Sequence, residues 1–246
     1  MSTSPDMRPL IAIPCYNESG NILHTLEDVF LHAPDVECVV IDDGSDDGTA
    51  ALVRSAARPG VTVVRHPVNL GYGCAIQTAA KYALAGGYDE VVFFDGDGQH
   101  SGSDLTVALA LLADGRTDVA VGLRFLGNCG YSIPFSRQAG MTVFRTLLRV
   151  LSGLRVTDPT SGFQALNRQA MRICASESFS TAFPDADMLL LYHRAGLTVA
   201  EFPGSFKPRT SGRSMHSLLS AAHYIYKMSV SMVVVALTPH RPDEAG

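Results

Sequence analysis

Four apolar runs punctuate the first hundred positions: LIAIP (10–14), VECVVID (36–42), VTVVRH (61–66) and DEVVFFD (89–95). Each is short and rich in β-branched or aromatic side chains, the pattern of strands buried on both faces of a parallel sheet. Between them, residues 18–32, 46–57 and 71–85 repeat apolar positions at three- and four-residue spacing, which predicts helices. Alternating strands and helices specify an α/β fold with a mostly parallel central sheet flanked by helices. The ligand crevice of such a sheet lies outside the carboxyl ends of its strands. The second half is less regular. Its patterns predict a helix at 102–112, a strand at 117–123, helices at 135–151, 168–175 and 185–195, a strand at 197–203, and a long helix from about 215. No linker divides the halves. A disordered start over 1–8, one domain over 9–213, a helix over 214–237 and a tail over 238–246 are expected.

With 46% apolar and 17% charged residues in a chain of 246, disorder, collagen-like repetition and coiled coil are excluded. Five cysteines (15, 38, 74, 129, 174) form no C-x-x-C, so neither a disulfide framework nor a zinc site is indicated. The start, MSTSPDMRPL, lacks a cationic stretch followed by an apolar run, and a cytoplasmic setting is expected. Charge is segregated: residues 1–123 carry 17 acids against 6 bases, residues 124–246 carry 7 against 13. This predicts a front half that holds cations or sugar hydroxyls and a back half that meets phosphates or an anionic surface.

The loops after the four strands read PCYNESG, DDGSDDGT, HPVNLGYG and DGDGQH. In the last, Asp95 and Asp97 stand two residues apart in a glycine-permitted turn and can aim two carboxylates at one point. That suits Mg2+ or Mn2+, which takes one or two protein carboxylates and completes its octahedron with water and phosphate. A calcium loop of the EF-hand type is excluded, because its twelfth position is Thr106 rather than Glu. Asp42, just past the second run, is placed to accept hydrogen bonds from a base or ribose, while Asp46, Asp47 or Thr49 can cap the next helix. PCYNESG lacks G-x-G-x-x-G and the chain lacks G-x-x-x-x-G-K-[ST], which excludes dinucleotide-binding and P-loop chemistry. His100 is either a turn residue or a ligand.

The segments IPCYNE (13–18), VVIDDGSDDGT (39–49), NLGYGCAIQTA (69–79), FFDGDGQH (93–100), DPTSGFQALNR (158–168) and KPRTSGRSM (207–215) together resemble glycosyltransferase family 2. Within it they are most similar to the dolichyl- and polyprenyl-phosphate mannosyl or glucosyl transferases. The resemblance spans about residues 9–237. It implies a GT-A fold whose residues 9–100 bind a nucleoside-diphosphate sugar, GDP- or UDP-hexose, and whose residues 101–213 form the acceptor half. It implies that Pro14, Tyr16, Glu18, Val40 and Asp42 hold the nucleoside, Asp95 and Asp97 the metal, and Gly96 and Gln99 the diphosphate-sugar region. Arg124, Arg137 and Arg209 are then expected to face phosphates.

Two positions depart from the family pattern. Met215 stands where a Lys commonly binds the donor phosphates, so Arg213 is the expected substitute; the later acidic motif is Asp185-Ala-Asp187 rather than Asp-x-Glu. Displacing a nucleoside diphosphate needs its charge neutralised, the task of the metal, Asp97 and the guanidinium groups. A phosphate acceptor needs no general base; a hydroxyl acceptor does, and Asp187 is then the catalytic candidate. Arg145 and Arg149, one turn apart, flank an acceptor phosphate or line a solvated helix face.

In residues 215–237 His216, Ser220, His223, Lys227 and Ser231 make one polar stripe on an otherwise apolar helix. Spanning a bilayer would place Lys227 near its middle at about 2.5–3.5 kcal/mol. The helix is therefore expected in the membrane interface or against another chain, with the protein's own core as the alternative. The combined expectation is an inverting, metal-dependent transferase of hexose to a polyprenyl-phosphate-type lipid, peripheral at the inner face of an anionic membrane, with a small membrane protein as a possible partner and no nucleic acid. The alternatives are a saccharide hydroxyl acceptor, or a non-catalytic nucleotide-sugar-binding subunit.

Overall fold

The computed structural model describes residues 7–124, 135–181, 184–206 and 218–238. The four apolar runs form β1 (Pro9–Cys15), β2 (Glu37–Asp42), β3 (Val61–Arg65) and β4 (Glu90–Phe93), separated by α1 (Ile22–His32), α2 (Thr49–Ala56) and α3 (Tyr72–Ala85). There follow α4 (Ser103–Ala113), β5 (Val119–Leu123), α5 (Phe135–Ser152), β6 (Gln164–Asn167), α6 (Arg168–Ala175), α7 (Ala186–Arg194), β7 (Val199–Pro203) and α8 (Leu218–Leu237). All seven strands join one sheet in the order β3-β2-β1-β4-β6-β5-β7, and only β6 runs against the rest.

β6 is the strand that periodicity does not reveal. Its four residues, QALN, run straight into α6, whose first turn is capped by the Asn167 side chain accepting the Ala170 N–H at 2.9 Å. Being antiparallel, β6 begins where β4 ends, with Gln164 opposite Phe93. Gly162 and Phe163 thereby reach the sheet edge that carries the other strands' carboxyl ends.

Strand alternation sends Leu10, Ala12, Val39, Ile41, Val91 and Phe93 into one apolar layer beneath α3, α6 and α7. Ile11, Ile13, Val40, Val92 and Phe94 face the other layer, with α1 and α4. α3 presents Ala75, Ala79, Ala80 and Ala83 to the sheet, and these small side chains let the helix lie close. A third cluster joins Phe144 and Leu148 of α5, Ala186 and Leu190 of α7, and Met228 and Met232 of α8. Burying a large apolar side chain such as Phe144 or Leu148 contributes about 1.5–3 kcal/mol.

Three expectations need correction. β3 is an edge strand and only half-buried, since β2 pairs with one side and, among the described residues, no strand pairs with the other. α1 starts at Ile22 rather than 18, because Asn17 takes a left-handed φ of 55° and the Glu18 carbonyl accepts the Asn21 and Ile22 N–H groups at 2.9 and 2.8 Å. Arg8, expected in a disordered start, is tied down: its N–H reaches Asp89 Oδ2 at 3.1 Å and its guanidinium lies 4.7 Å from the Tyr88 ring centroid. Residues 1–6 and 239–246 lie outside the described residues.

Candidate active site

The loops after β1 and β2 are laced together at the sheet edge. The Asn17 N–H donates to Ser45 Oγ at 2.9 Å, its Oδ1 accepts the Asp46 N–H at 3.0 Å, and the Glu18 N–H reaches Thr49 Oγ1 at 3.0 Å. Asp47 accepts the Ser19 N–H and, at the start of α2, the Thr49 N–H. Its carboxyl is lowered to about 2: slight burial opposes the shift, and hydrogen bonds from Thr49 and Ser19 outweigh it. Asp42, at the end of β2, is buried; Oδ1 accepts the Ser45 N–H at 3.2 Å, and Arg65 Nε stands 3.1 Å from Oδ2 without an aligned hydrogen bond. Asp42 Oδ2 thus has Arg65 beside it but no hydrogen bond, and the carboxylate is 0% exposed. Tyr16, 45% exposed, follows Cys15, the residue of β1 that stands opposite Asp42, and the Pro14 carbonyl accepts the Gly96 N–H at 3.3 Å. Glu18 Oε2 accepts from Asn21 Nδ2 at 2.7 Å. Val40 does not reach the cleft: its side chain is fully buried mid-strand between Ile13 and Val63, where it supports β2.

The acid turn follows β4. Gly98 takes a φ of 74° that L side chains rarely adopt, and Asp97 Oδ1 accepts the Gln99 N–H at 3.0 Å. Asp95 keeps 30% of its side chain exposed and is held from two sides. Tyr72 donates its hydroxyl to Oδ1 at 3.0 Å, and His100 Nε2 lies 2.9 Å from Oδ2. His100 is buried among Phe94, Phe163 and Phe206, with ring centroids at 5.3, 5.2 and 4.6 Å, so its place is beneath Asp95 as a support. Gly162 closes the site, since a Cβ there would stand 3.0 Å from both Asp95 Oδ2 and the Tyr72 hydroxyl. Burial alone would push the Asp95 carboxyl up, but the charge and hydrogen bond of His100, with Tyr72, hold it below the usual carboxylate range. The Tyr72 phenol is pushed up by burial and then by Asp95, Asp185 and Asp97.

Among the described residues no three His, Cys, Asp or Glu side chains gather into a metal cage. The donors available at this turn are two carboxylates, hard oxygen ligands. They fit a divalent ion that draws its remaining ligands from water and a diphosphate.

On the β5 side, Arg124 makes a two-pronged pair with Asp158, Nε to Oδ2 at 2.7 Å and Nη2 to Oδ1 at 2.8 Å. Asp158 is lowered despite its burial by that guanidinium and by Thr160. The Arg124 charge is reinforced by Asp158, then by Asp185 and Asp95, which outweigh burial. Arg124 is thus a guanidinium held in one geometry by Asp158 and Thr160. Arg137 falls at the start of α5, and Arg209, Arg213 and Met215 lie outside the described residues. Arg149 is exposed, whereas Arg145 is half-buried with its Nε unpartnered.

The two later acids part company. Asp185, just before α7, accepts the Tyr224 hydroxyl of α8, and burial raises its pKa. Asp187 is 1% exposed in the seam between α7 and α8, where Ser231 donates to Oδ2 and the Asp185 N–H to Oδ1. Burial raises it to about 6, with Ser231 opposing and Asp185 adding. This seating does not fit the general-base role expected of Asp187. Sequence reasoning had assigned no role to Tyr72, Asp158, Gly162 or Tyr224. The first three stand inside quoted motifs, while the pairing of Tyr224 with Asp185 leaves no local signal.

Residues 10–173 match the family model described as Glycosyl transferase family 2. Polyprenol monophosphomannose synthase from Mycolicibacterium smegmatis is 30% identical over 232 residues, covering 92% of this chain and 87% of that protein. Undecaprenyl-phosphate mannosyltransferase from Micrococcus luteus is 33% identical over 218 residues, covering 86% and 88%. Among solved structures, mannosyltransferase PcManGT from Pyrobaculum calidifontis, in complex with GDP-Man and Mn2+, aligns with a TM-score of 0.66 at 18% identity, over 98% of this chain and 68% of that one. Glucosyl-3-phosphoglycerate synthase from Mycobacterium tuberculosis, in complex with Mn2+, UDP-glucose and phosphoglyceric acid, gives 0.69 at 20% identity, over 97% and 83%. At such identities these structures establish the fold, which is GT-A.

Proposed function

The chain belongs to glycosyltransferase family 2, and on that premise we propose that it moves a hexose, with inversion, from GDP- or UDP-hexose to a polyprenyl-phosphate-type lipid, using Mg2+ or Mn2+. The observation that carries the phosphate acceptor is the seating of Asp187, 1% exposed and bonded to Ser231. A hydroxyl acceptor needs a base that can reach it, whereas a phosphate oxygen is already anionic at neutral pH and attacks without one. The lipid names of the two relatives agree with that reading.

In this reading Asp42 accepts from the base or ribose, with Pro14, Tyr16 and Glu18 forming the nucleoside's surroundings at the ends of β1 and β2. Asp95 and Asp97 hold the metal, and Gly96 and Gln99 border the diphosphate and sugar. A bound divalent ion supplies counter-charge to the leaving diphosphate. Arg124, fixed by Asp158, adds a preorganised positive charge that needs no reorganisation during transfer. Arg137, Arg209 and Arg213 are assigned to the donor or acceptor phosphates. Residues 9–100 serve the donor and 101–213 the acceptor, and the outer face of α8 meets the inner membrane surface or a small membrane protein.

Incubation of the purified chain with labelled GDP-mannose or UDP-glucose, Mn2+ and polyprenyl phosphate in detergent should move label into the organic phase. Label that passes only to a saccharide would replace the lipid acceptor with a hydroxyl. No transfer or hydrolysis from any nucleotide sugar would leave a binding subunit.

A further inference from the structure

We propose that Tyr72 is a positioning residue for the acid turn, fixing Asp95 through its hydroxyl while an Asp43–His66 brace fixes Tyr72. The inference rests on the reading of Asp95 and Asp97 as the metal carboxylates.

Tyr72 opens α3, so its place depends on the loop before it and the helix after it, and both are tied to one buried acid. Asp43 Oδ1 accepts the Leu70 N–H at 2.9 Å and Oδ2 the Gly71 N–H at 2.8 Å. His66 Nδ1 lies 2.7 Å from Asp43 Oδ1, and its Nε2 lies 3.0 Å from Thr78 Oγ1, nearly two turns into α3. Asp43 is itself anchored, its N–H donating to the Cys15 carbonyl at 2.9 Å. Gly44 lets the two loops meet: at a φ of 73°, a Cβ would fall 2.4 Å from the Val68 carbonyl carbon.

This brace delivers the Tyr72 hydroxyl to Asp95 Oδ1 from the side opposite His100. Each Asp95 oxygen is thus held by one protein donor, which stops the carboxylate rotating and leaves its other lone pairs facing a fixed direction. Partners that orient a metal-binding side chain typically change metal affinity by about 10- to 100-fold when removed. Tyr72 as a residue is 39% exposed, with its hydroxyl end enclosed by Asp95 and Gly162, and among the described residues it belongs to no apolar core cluster, so loss of its hydroxyl should leave stability nearly unchanged.

The test is Mn2+ binding to the full chain, with Mn2+ alone as probe and free Mn2+ read by electron paramagnetic resonance, beside thermal melting. Tyr72→Phe should melt like the wild type yet bind Mn2+ about 10-fold more weakly. Asp43→Asn, or His66→Gln if that variant does not fold, should weaken Mn2+ in the same direction. Combined with Tyr72→Phe it should add little, because both act through one hydroxyl. Unchanged Mn2+ affinity in Tyr72→Phe, with Asp97→Asn abolishing binding, would overturn the positioning role and keep the metal site. Unchanged affinity in Asp97→Asn as well would overturn the metal reading, and this inference with it.

Discussion

Ser231, late in α8, donates its hydroxyl to Asp187 in the first turn of α7, and two turns earlier Tyr224 does the same for Asp185. The C-terminal helix therefore completes the acidic end of α7. With Met228 and Met232 buried against Phe144, Leu148, Ala186 and Leu190, it is also part of the core. A truncation at residue 215 would open that core. Tests of α8 need point substitutions.

Asp187→Asn separates the seam from chemistry. The folded carboxyl is raised to about 6 by burial, above the unfolded value of about 3.9, so the folded state binds the proton more tightly. Stability then falls as pH rises from about 4 through 6. The variant cannot ionise and should gain on the wild type above pH 6, by at most about 3 kcal/mol, and lose that gain toward pH 4. Denaturant unfolding at pH 4 and 8 measures it. Transfer to polyprenyl phosphate should stay within a few-fold; a loss of about 10²–10⁴ with donor binding unchanged would indicate a hydroxyl acceptor.

Asp97→Ala addresses the acid turn itself. The Gln99 N–H loses one acceptor, a change of about 1 kcal/mol, so the melting temperature should move by only a few degrees. Transfer should vanish, because the leaving diphosphate lacks its bound counter-charge, and excess EDTA should do the same to the wild type. Full activity in either case would remove the metal from the reaction.

How much of this was legible depended on how local each signal is. Strands buried on both faces write continuous apolar runs, and two acids flanking a glycine at a strand end mark a turn built for more than turning. β6 is four residues long and abuts a helix, too short for either period to emerge. The partners of Asp95 stand 23 residues before it and 5 after, and the Arg124–Asp158 pair spans 34 positions, so only the fold joins them. Val40 shares a motif with Asp42, yet strand alternation and its mid-strand position bury it. In α8 the polar stripe divides: His223 and Lys227 are exposed, while Ser231 turns inward to Asp187. Because the outer face is apolar too, periodicity does not tell inside from outside.

Glu90→Gln concerns the far end of the sheet. Glu90 is 3% exposed at the start of β4, its Oε1 has no hydrogen-bond partner, and burial with the Asp89 charge raises it to about 7. The unfolded value is about 4.3, so ionising this group removes stability as pH rises from about 4 through 7. The variant should match the wild type near pH 4 and exceed it at pH 8, by at most about 4 kcal/mol. Asp187 also ionises around pH 6, so the comparison belongs in an Asp187→Asn background, where a stability slope between pH 6 and 7 that disappears on adding Glu90→Gln assigns it to this residue. A slope that persists in the variant would place its origin elsewhere.

The outer face of α8 should bind anionic membranes. Among the described residues no helix is long and apolar enough to cross a membrane, yet Tyr226 and Leu237 are 68% and 79% exposed and Val230, Val233 and Val234 share their face. A helix docked through Met228 and Met232 that still shows apolar side chains outward has the form of an interfacial helix, whose binding combines buried apolar area with attraction of basic residues to anionic lipid. The electrostatic part, about 1 kcal/mol per basic residue near the surface, weakens with salt while the apolar part persists. Vesicles containing anionic lipid should therefore sediment the chain at low salt and retain part of it at high salt. Val230→Ser, Val234→Ser and Leu237→Ser together remove apolar area from this face without touching Met228 or Met232, and should weaken sedimentation by about 10-fold or more. Melting temperature and Mn2+ affinity should stay near wild type. Sedimentation unchanged by the triple substitution would show that lipid does not meet this face. Failure of the wild type to sediment, with the apolar face instead captured by a small membrane protein, would assign the surface to that partner.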